Sequence, residues 1–215
     1  MADTLEIALA GEPWLLHGAR AAYWPRRRRL LIADLHLGKG GILRAAGIPV
    51  PSGGTAEDLS RLDALLARFE PESLWILGDL VHGSGPPGSW LPQWQAFRQR
   101  HAAREVILVP GNHDRALSGL ALHVSIAQPS VRDDAFLFEH APAEDVPAGS
   151  IAVGGHLHPV TRVPGLPGRH PCFLLQAQQL LLPAFSRFTG GLPCGPRDTR
   201  IACVHGLLLR LPSGT

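Results

Sequence analysis

Arg29-Leu30-Leu31-Ile32-Ala33-Asp34-Leu35-His36 is a short apolar run that ends in an Asp-x-His pair. An unbroken run of this length, Arg29–Ala33, suits a strand covered on both faces. The form recurs twice. Leu74–Leu77 leads into Gly78-Asp79-Leu80-Val81-His82, and Glu105–Val109 leads into Pro110-Gly111-Asn112-His113-Asp114. Between the first two runs, Thr55–Phe69 puts Leu59, Leu62, Leu65, Leu66 and Phe69 on one helical face, with Thr55 placed as N-cap. A less regular helix is expected over Trp90–Arg104. Strands alternating with helices predict the α/β class. Sites in open α/β sheets form outside the carboxyl ends of strands, so the three polar clusters should converge.

The second half changes character. Ala135–Glu139, Ser150–Val153, Phe173–Leu175, Leu180–Leu182 and Ile201–Leu209 read as strands, and Gly165–Pro171 as an exposed turn. Little helix separates them, which predicts a second sheet packed on the first. Two more clusters follow strands here: Glu139-His140, and Gly154-Gly155-His156-Leu157-His158. No repeat or linker interrupts the chain, so one domain is expected over residues 1–215. The stretches Gly38–Gly54 and Gly83–Trp90 flank the first two clusters and would shape what reaches them.

Composition sets bounds. A chain of 215 residues, 45% hydrophobic and 18% charged, fits a folded domain and excludes disorder. Lys39 is the only lysine, and a net charge of +2 does not identify a nucleic-acid binder. The odd set Cys172, Cys194 and Cys203 has no C-x-x-C pair, which argues against a disulfide framework or a thiolate zinc site and for a reducing cytoplasm. No apolar run approaches the roughly 20 residues needed to span a bilayer, and acidic Asp3 and Glu6 sit where a signal peptide would carry positive charge.

The polar clusters carry the chemistry. One intervening residue in Asp-x-His and His-x-His would put both side chains on one side of an extended backbone, so each pair could grip one metal ion. Glycines beside Asp79, Asn112 and His156 would let the chain turn and approach closely. Carboxylate, imidazole and amide without sulfur suit Mn²⁺, Fe or Zn²⁺ better than Ca²⁺ or Cu(I). Asp79 is the natural bridge between two cations, which together could stabilise both attacking and leaving oxygens of an in-line displacement. A histidine after a strand is ordinarily just a satisfied polar residue. Five clusters in the order D-x-H, G-D-x-x-H, G-N-H-D, H and G-H-x-H, each after a strand, are not.

That order resembles the calcineurin-like metallophosphoesterase superfamily over nearly the whole chain. The resemblance implies a four-layer αββα sandwich, two mixed sheets flanked by helices, around two divalent cations. Asp34, His36 and His158 would bind one cation, Asn112, His140 and His156 the other, and Asp79 both. His113 would be the general acid and Asp114 would steady its loop. A glycine-aspartate pair with His82 three residues on is similar to DNA-repair nucleases of the SbcD type, so His82 either packs beside the site or meets the substrate. Trp24-Pro25, Ala33-Asp34-Leu35-His36-Leu37-Gly38-Lys39-Gly40, Pro183-Ala184-Phe185 and Thr189-Gly190-Gly191 narrow the resemblance to the ligase-associated DNA damage response endonucleases, the PdeM family. That family implies a bacterial, Mn²⁺-dependent enzyme acting on DNA in repair, associated with a DNA ligase and a helicase. The chain departs from it at Gly38, where an acidic residue is common, and at His140-Ala141, where a histidine-glutamate pair is common.

Lys39 and Arg44 lie just past the first ligand pair and could contact substrate phosphate. Arg26–Arg29 is the densest basic run, and such a run is more often a solvated turn than a DNA contact. The rival readings are a broad phosphodiesterase or phosphatase for nucleotides and other small esters, and a non-catalytic binding module. The module is disfavoured because neither a ligand position nor His113 is missing.

Overall fold

The computed structural model describes residues 2–83, 88–114, 117, 120–143, 145–195 and 197–212; residues 84–87 of the Gly83–Trp90 stretch fall outside it. Strands β1 (Thr4–Leu9), β2 (Glu12–His17), β3 (Ala21–Trp24), β4 (Arg29–Ile32), β5 (Ser73–Leu77), β6 (Glu105–Val109) and β7 (Ser125–Ile126) form a sheet in that order. The first four run antiparallel, and β4 to β7 run parallel. Helices α1 (Lys39–Ala45), α2 (Gly54–Phe69) and α3 (Trp90–Arg100) lie along the chain between β4 and β6. The second sheet is built from β8 (Ser130–Asp133), β9 (Phe136–Glu139), β10 (Ile151–Gly154), β11 (Val160–Thr161), β12 (His170–Gln176), β13 (Gln179–Leu181), β14 (Thr199–Val204) and β15 (Leu207–Leu211). Its order is β15-β14-β12-β13-β10-β9-β8, with β11 paired to β12. Two mixed sheets flanked by helices are the α/β architecture expected.

Alternation along the central strands sorts the core into layers. Leu30, Ile32, Leu74, Ile76, Val106 and Leu108 pack with Leu59, Leu62, Leu65, Leu66, Trp94 and Phe97 of α2 and α3. Leu31, Ala33, Trp75, Leu77 and Val109 face the other way, against Phe136, Phe138, Val153, Phe173 and Ile201 of the second sheet. With both faces covered, every residue of β4 and β5 is buried, which is why they read as plain apolar runs. Beyond the second sheet, Cys172, Leu174, Ala202 and Val204 pack under Val163 and Cys194.

The structure moves several boundaries. Thr55 lies inside α2, whose N-cap is Gly53 at a left-handed φ of 88°. The third helix stops at Arg100 because Arg98 donates to the carbonyls of His101, Arg104 and His123, capping its end with a side chain. Ile201–Leu209 is not one strand: His205 and Gly206, both at positive φ, turn the chain between β14 and β15. The strands β1 to β3 were not anticipated. They place Trp14 and Trp24, stacked with centroids 5.4 Å apart, in the layer between the sheets. No helix among the described residues is long and apolar enough to cross a membrane.

Arg26–Arg29 is a buttress. Arg26 pairs with Glu12 and Asp134, Arg27 with Asp133 and Asp134, and Arg28 with Glu72. Arg29 is buried against the Trp75 ring, 3.8 Å from its centroid, with Asp133 at 2.9 Å. Arg26, Arg27 and Arg28 thus stand exposed on a turn, as the solvated-turn reading expects, with charges paired within the chain, while Arg29 is buried.

Candidate active site

Parallel register brings the carboxyl ends together. Ile32, Ile76 and Leu108 are aligned across β4, β5 and β6, so Asp34, Asp79 and Asn112 leave the sheet at one edge. The parallel pair β9 and β10 delivers His140 and the His156–His158 turn to the same place. Asp34, Asp79, His36 and His140 are buried.

The ligand pairs are not gripped by an extended backbone. Asp34, His36, Asp79, His156 and His158 all have positive φ, between 48° and 65°. Each pair therefore lies just past its strand in a left-handed turn, while the intervening Leu35 joins the helix-side core and Leu157 packs on the outer cluster. Left-handed backbone costs roughly 1–2 kcal/mol at a non-glycine residue, and concentration at five polar positions marks a site under functional constraint. Gly78 and Gly111 allow the close approach. A Cβ at Gly78 would sit 2.0 Å from His140 Nδ1, and one at Gly111 2.3 Å from Asp79 Oδ1.

Hydrogen bonds at the far ring nitrogens set the imidazoles. His140 Nδ1–H donates to the Leu77 carbonyl (3.1 Å), leaving Nε2 facing Asn112 Oδ1 at 3.0 Å, His156 Nδ1 at 3.0 Å and Asp79 Oδ2 at 3.5 Å. His158 Nδ1–H donates to the Gly190 carbonyl (3.1 Å), leaving Nε2 3.3 Å from Asp34 Oδ1. His36 Nε2 lies 3.9 Å from Asp79 Oδ2, so that one oxygen is within reach of both sets of ligands. Backbone N–H groups hold the remaining carboxylate oxygens, His156 on Asp34 Oδ2 and His113 on Asp79 Oδ1.

These atoms fit a pair of cations. Asp34 Oδ1, His36 Nε2 and His158 Nε2 are buried with no hydrogen-bond partner among the described residues, a costly arrangement unless something else satisfies their lone pairs. The donor atoms of Asp34, His36 and His158 lie within 4.8 Å of one another, as do those of Asp34, Asp79 and His140. Burial, with the Lys39 charge next in weight, pushes His36 down to about 2, which keeps its lone pair free for a metal ion.

Around this core, His113 is partly exposed, with Nε2 4.0 Å from Asp79 Oδ2. Asp114 accepts from Gly111 N–H (2.8 Å) and Val81 N–H (3.4 Å), so its carboxylate holds the turn instead of meeting a substrate. His82 stacks edge-on to His36 and beside His113, and burial followed by Lys39 lowers it to about 4. Lys39 Nζ reaches Thr189 Oγ1 at 3.4 Å; burial lowers its pKa against the pull of Asp34 and Asp79. Arg44 is exposed, donates to the Pro51 carbonyl, and lines a cavity of about 320 Å³ with His82, Ile42 and Trp90. A second cavity of about 550 Å³ is lined by Asn112, His140 and His156. The Leu77 and Gly190 carbonyls were invisible to sequence reasoning, because a backbone acceptor has no residue signature.

The calcineurin-like phosphoesterase family model matches residues 27–211. A nuclease called MPE from Pseudomonas putida has a crystal structure that superposes with a TM-score of 0.82 at 33% identity, covering 96% of this chain and 100% of that one. YfcE, a phosphoesterase from E. coli, aligns at 17% identity with a TM-score of 0.49, over 86% of this chain and 99% of that one. No curated protein matches the sequence. Matched across the whole stretch that carries the five clusters, the chain belongs to the calcineurin-like phosphoesterase family and is a metal-dependent phosphoester hydrolase.

Proposed function

We propose that the protein is a single-domain, two-metal nuclease that hydrolyses phosphodiester bonds in DNA. The observation that carries the metal reading is the set of buried, unpartnered ligand atoms facing one another on Asp34, His36 and His158. Asp34, His36 and His158 would hold one ion, Asn112, His140 and His156 the other, and Asp79 would serve both, with Mn²⁺ the ion that the PdeM-like segments favour. When bound, two divalent cations neutralise charge on the phosphoryl oxygens and lower the pKa of water. DNA as substrate is supported by 33% identity to a nuclease over 96% of this chain, and by the PdeM-like segments.

The chain's own residues divide the remaining work. His113 stands at the rim of the centre, within 4.0 Å of Asp79 and open to solvent, where it protonates the departing oxygen. Asp114 fixes the turn that carries it. His82 lies between His36, His113 and the smaller cavity and faces the substrate there. Lys39 attracts the scissile phosphate, and Arg44 takes a neighbouring phosphate at the cavity lip. A part in bacterial, cytoplasmic DNA repair beside a ligase and a helicase belongs to the same reading, and genes for both next to this one would support it.

Purified protein with Mn²⁺ should cut single-stranded and plasmid DNA as well as bis-p-nitrophenyl phosphate. Intact DNA alongside rapid hydrolysis of cyclic nucleotides would overturn the DNA assignment in favour of a small-ester phosphodiesterase.

A further inference from the structure

Residues 183–191 carry the Pro-Ala-Phe-x-x-x-Thr-Gly-Gly pattern, yet the ligand set uses none of their side chains. Their backbone reaches the centre twice. Phe185 N–H donates to the Ala33 carbonyl (2.8 Å) and Ser186 N–H to the Asp34 carbonyl (3.1 Å), so this segment braces Asp34 at its left-handed φ of 56°. Further along, the Gly190 carbonyl orients His158 through Nδ1, and Leu192 N–H donates to the Leu157 carbonyl (3.0 Å). Gly191 is pressed against the turn, since a Cβ there would lie 1.8 Å from the His158 carbonyl oxygen. Asp34 and His158, 3.3 Å apart at their ligand atoms, are both seated on one segment.

Two arginines hold that segment. Arg20, between β2 and β3, points Nη1 at three successive carbonyls: Ala184 (3.3 Å), Phe185 (3.4 Å) and Ser186 (3.0 Å). Arg61 of α2 also donates to the Phe185 carbonyl and lies 4.2 Å over the Phe185 ring. It is paired with Asp58 at 2.8 Å, whose other oxygen accepts from Arg187 N–H. Converging carbonyls repel one another unless a cation neutralises them, and a planar guanidinium offers donors at fixed angles that lysine cannot reproduce. Burial, reinforced by the Arg61 charge, lowers Arg20 to about 10.

We propose that Arg20 and Arg61 are positioning residues for the metal centre: by fixing the backbone of 184–186 they set Asp34 and His158, and so the affinity for the ion these residues share. The inference rests on the two-metal reading above, and its test separates the two. Mn²⁺ is titrated into chelated, dialysed protein, with free Mn²⁺ read by electron paramagnetic resonance. Arg20→Gln and Arg61→Gln should weaken one of two bound Mn²⁺ ions by roughly 10-fold or more, the range found for residues that orient ligands. Saturating Mn²⁺ should then restore most of kcat on bis-p-nitrophenyl phosphate. The control is Arg98→Gln, because Arg98 clamps three carbonyls at the far end of α3, each at 3.1 Å. All three variants should lose stability, but Arg98→Gln should keep wild-type Mn²⁺ affinity. Arg61→Lys, which keeps the charge beside Asp58, covers failure of the glutamine variants to fold and should show the same change at smaller amplitude. Folded Arg61 variants with wild-type affinity overturn the proposal while leaving the two-metal reading intact; a wild type that binds no Mn²⁺ removes both.

Discussion

A methyl group on Gly78 would lie 2.0 Å from His140 Nδ1, at a backbone φ of 78° that alanine resists. Both effects fall on one histidine, whose Nδ1–H must reach the Leu77 carbonyl for Nε2 to face Asp79. Gly78→Ala is therefore expected to lower Mn²⁺ affinity about 10-fold or more, as loss of a ligand's orienting contact does; calorimetric titration of the folded variant checks it. His113→Ala removes no metal ligand, so it should keep both ions by elemental analysis while kcat falls about 10²–10⁴-fold, the usual contribution of a positioned acid. The candidate ligands were legible because their residue types and order are improbable without a metal. Their left-handed conformations were not, because Asp-x-His spacing fits a strand as readily as a turn. Asp114, expected to steady its loop, accepts from the backbone N–H groups of Gly111 and Val81.

Among elements, β4, β5 and β6 could be read because burial on both faces erases alternation and leaves bare apolar runs. Strands β1 and β2 bury only alternate residues and have no polar cluster to mark their ends. At β14 and β15 a two-residue turn interrupts an apolar stretch too briefly to break its pattern. The pairing of the exposed arginine turn was not legible for a related reason: its partners Glu12, Asp133 and Asp134 come from distant strands and adjoining turns. Asp133 makes the β8 contact matter. Its loss strands the Arg29 guanidinium among the rings of Trp24, Trp75 and Phe138, where Nε and Nη1 have no hydrogen-bond partner among the described residues. Asp133→Ala should cost roughly 2–4 kcal/mol in urea denaturation, whereas Arg29→Met combined with Asp133→Ala should recover part of that loss, since a well-packed apolar group can replace a buried ion pair.

On the scale of the molecule, the centre joins two sheets. Asp34, His36, Asp79 and Asn112 come from the first, His140, His156 and His158 from the second, and residues 184–186 connect the second back to β4. Metal ions held there bind the folded chain only, so they add to its stability by mass action. One site at 100 times its dissociation constant contributes about 2.7 kcal/mol, or about 5–11 °C in a chain of this size, so chelation should lower Tm by at least that range. An unchanged Tm would argue against ions bridging the sheets. The overall α/β plan was accessible from the alternation of strands and helices alone, while the pairing of the two sheets at one edge depends on contacts between residues about a hundred positions apart.

In the two-metal reading, five separated clusters enclose a pair of divalent cations. Crystals soaked in Mn²⁺ and measured near the manganese absorption edge should give two anomalous peaks, one against Asp34, His36 and His158 and one against Asn112, His140 and His156, with Asp79 touching both. A map with no peak beside the Asp34 and Asp79 carboxylates would contradict it.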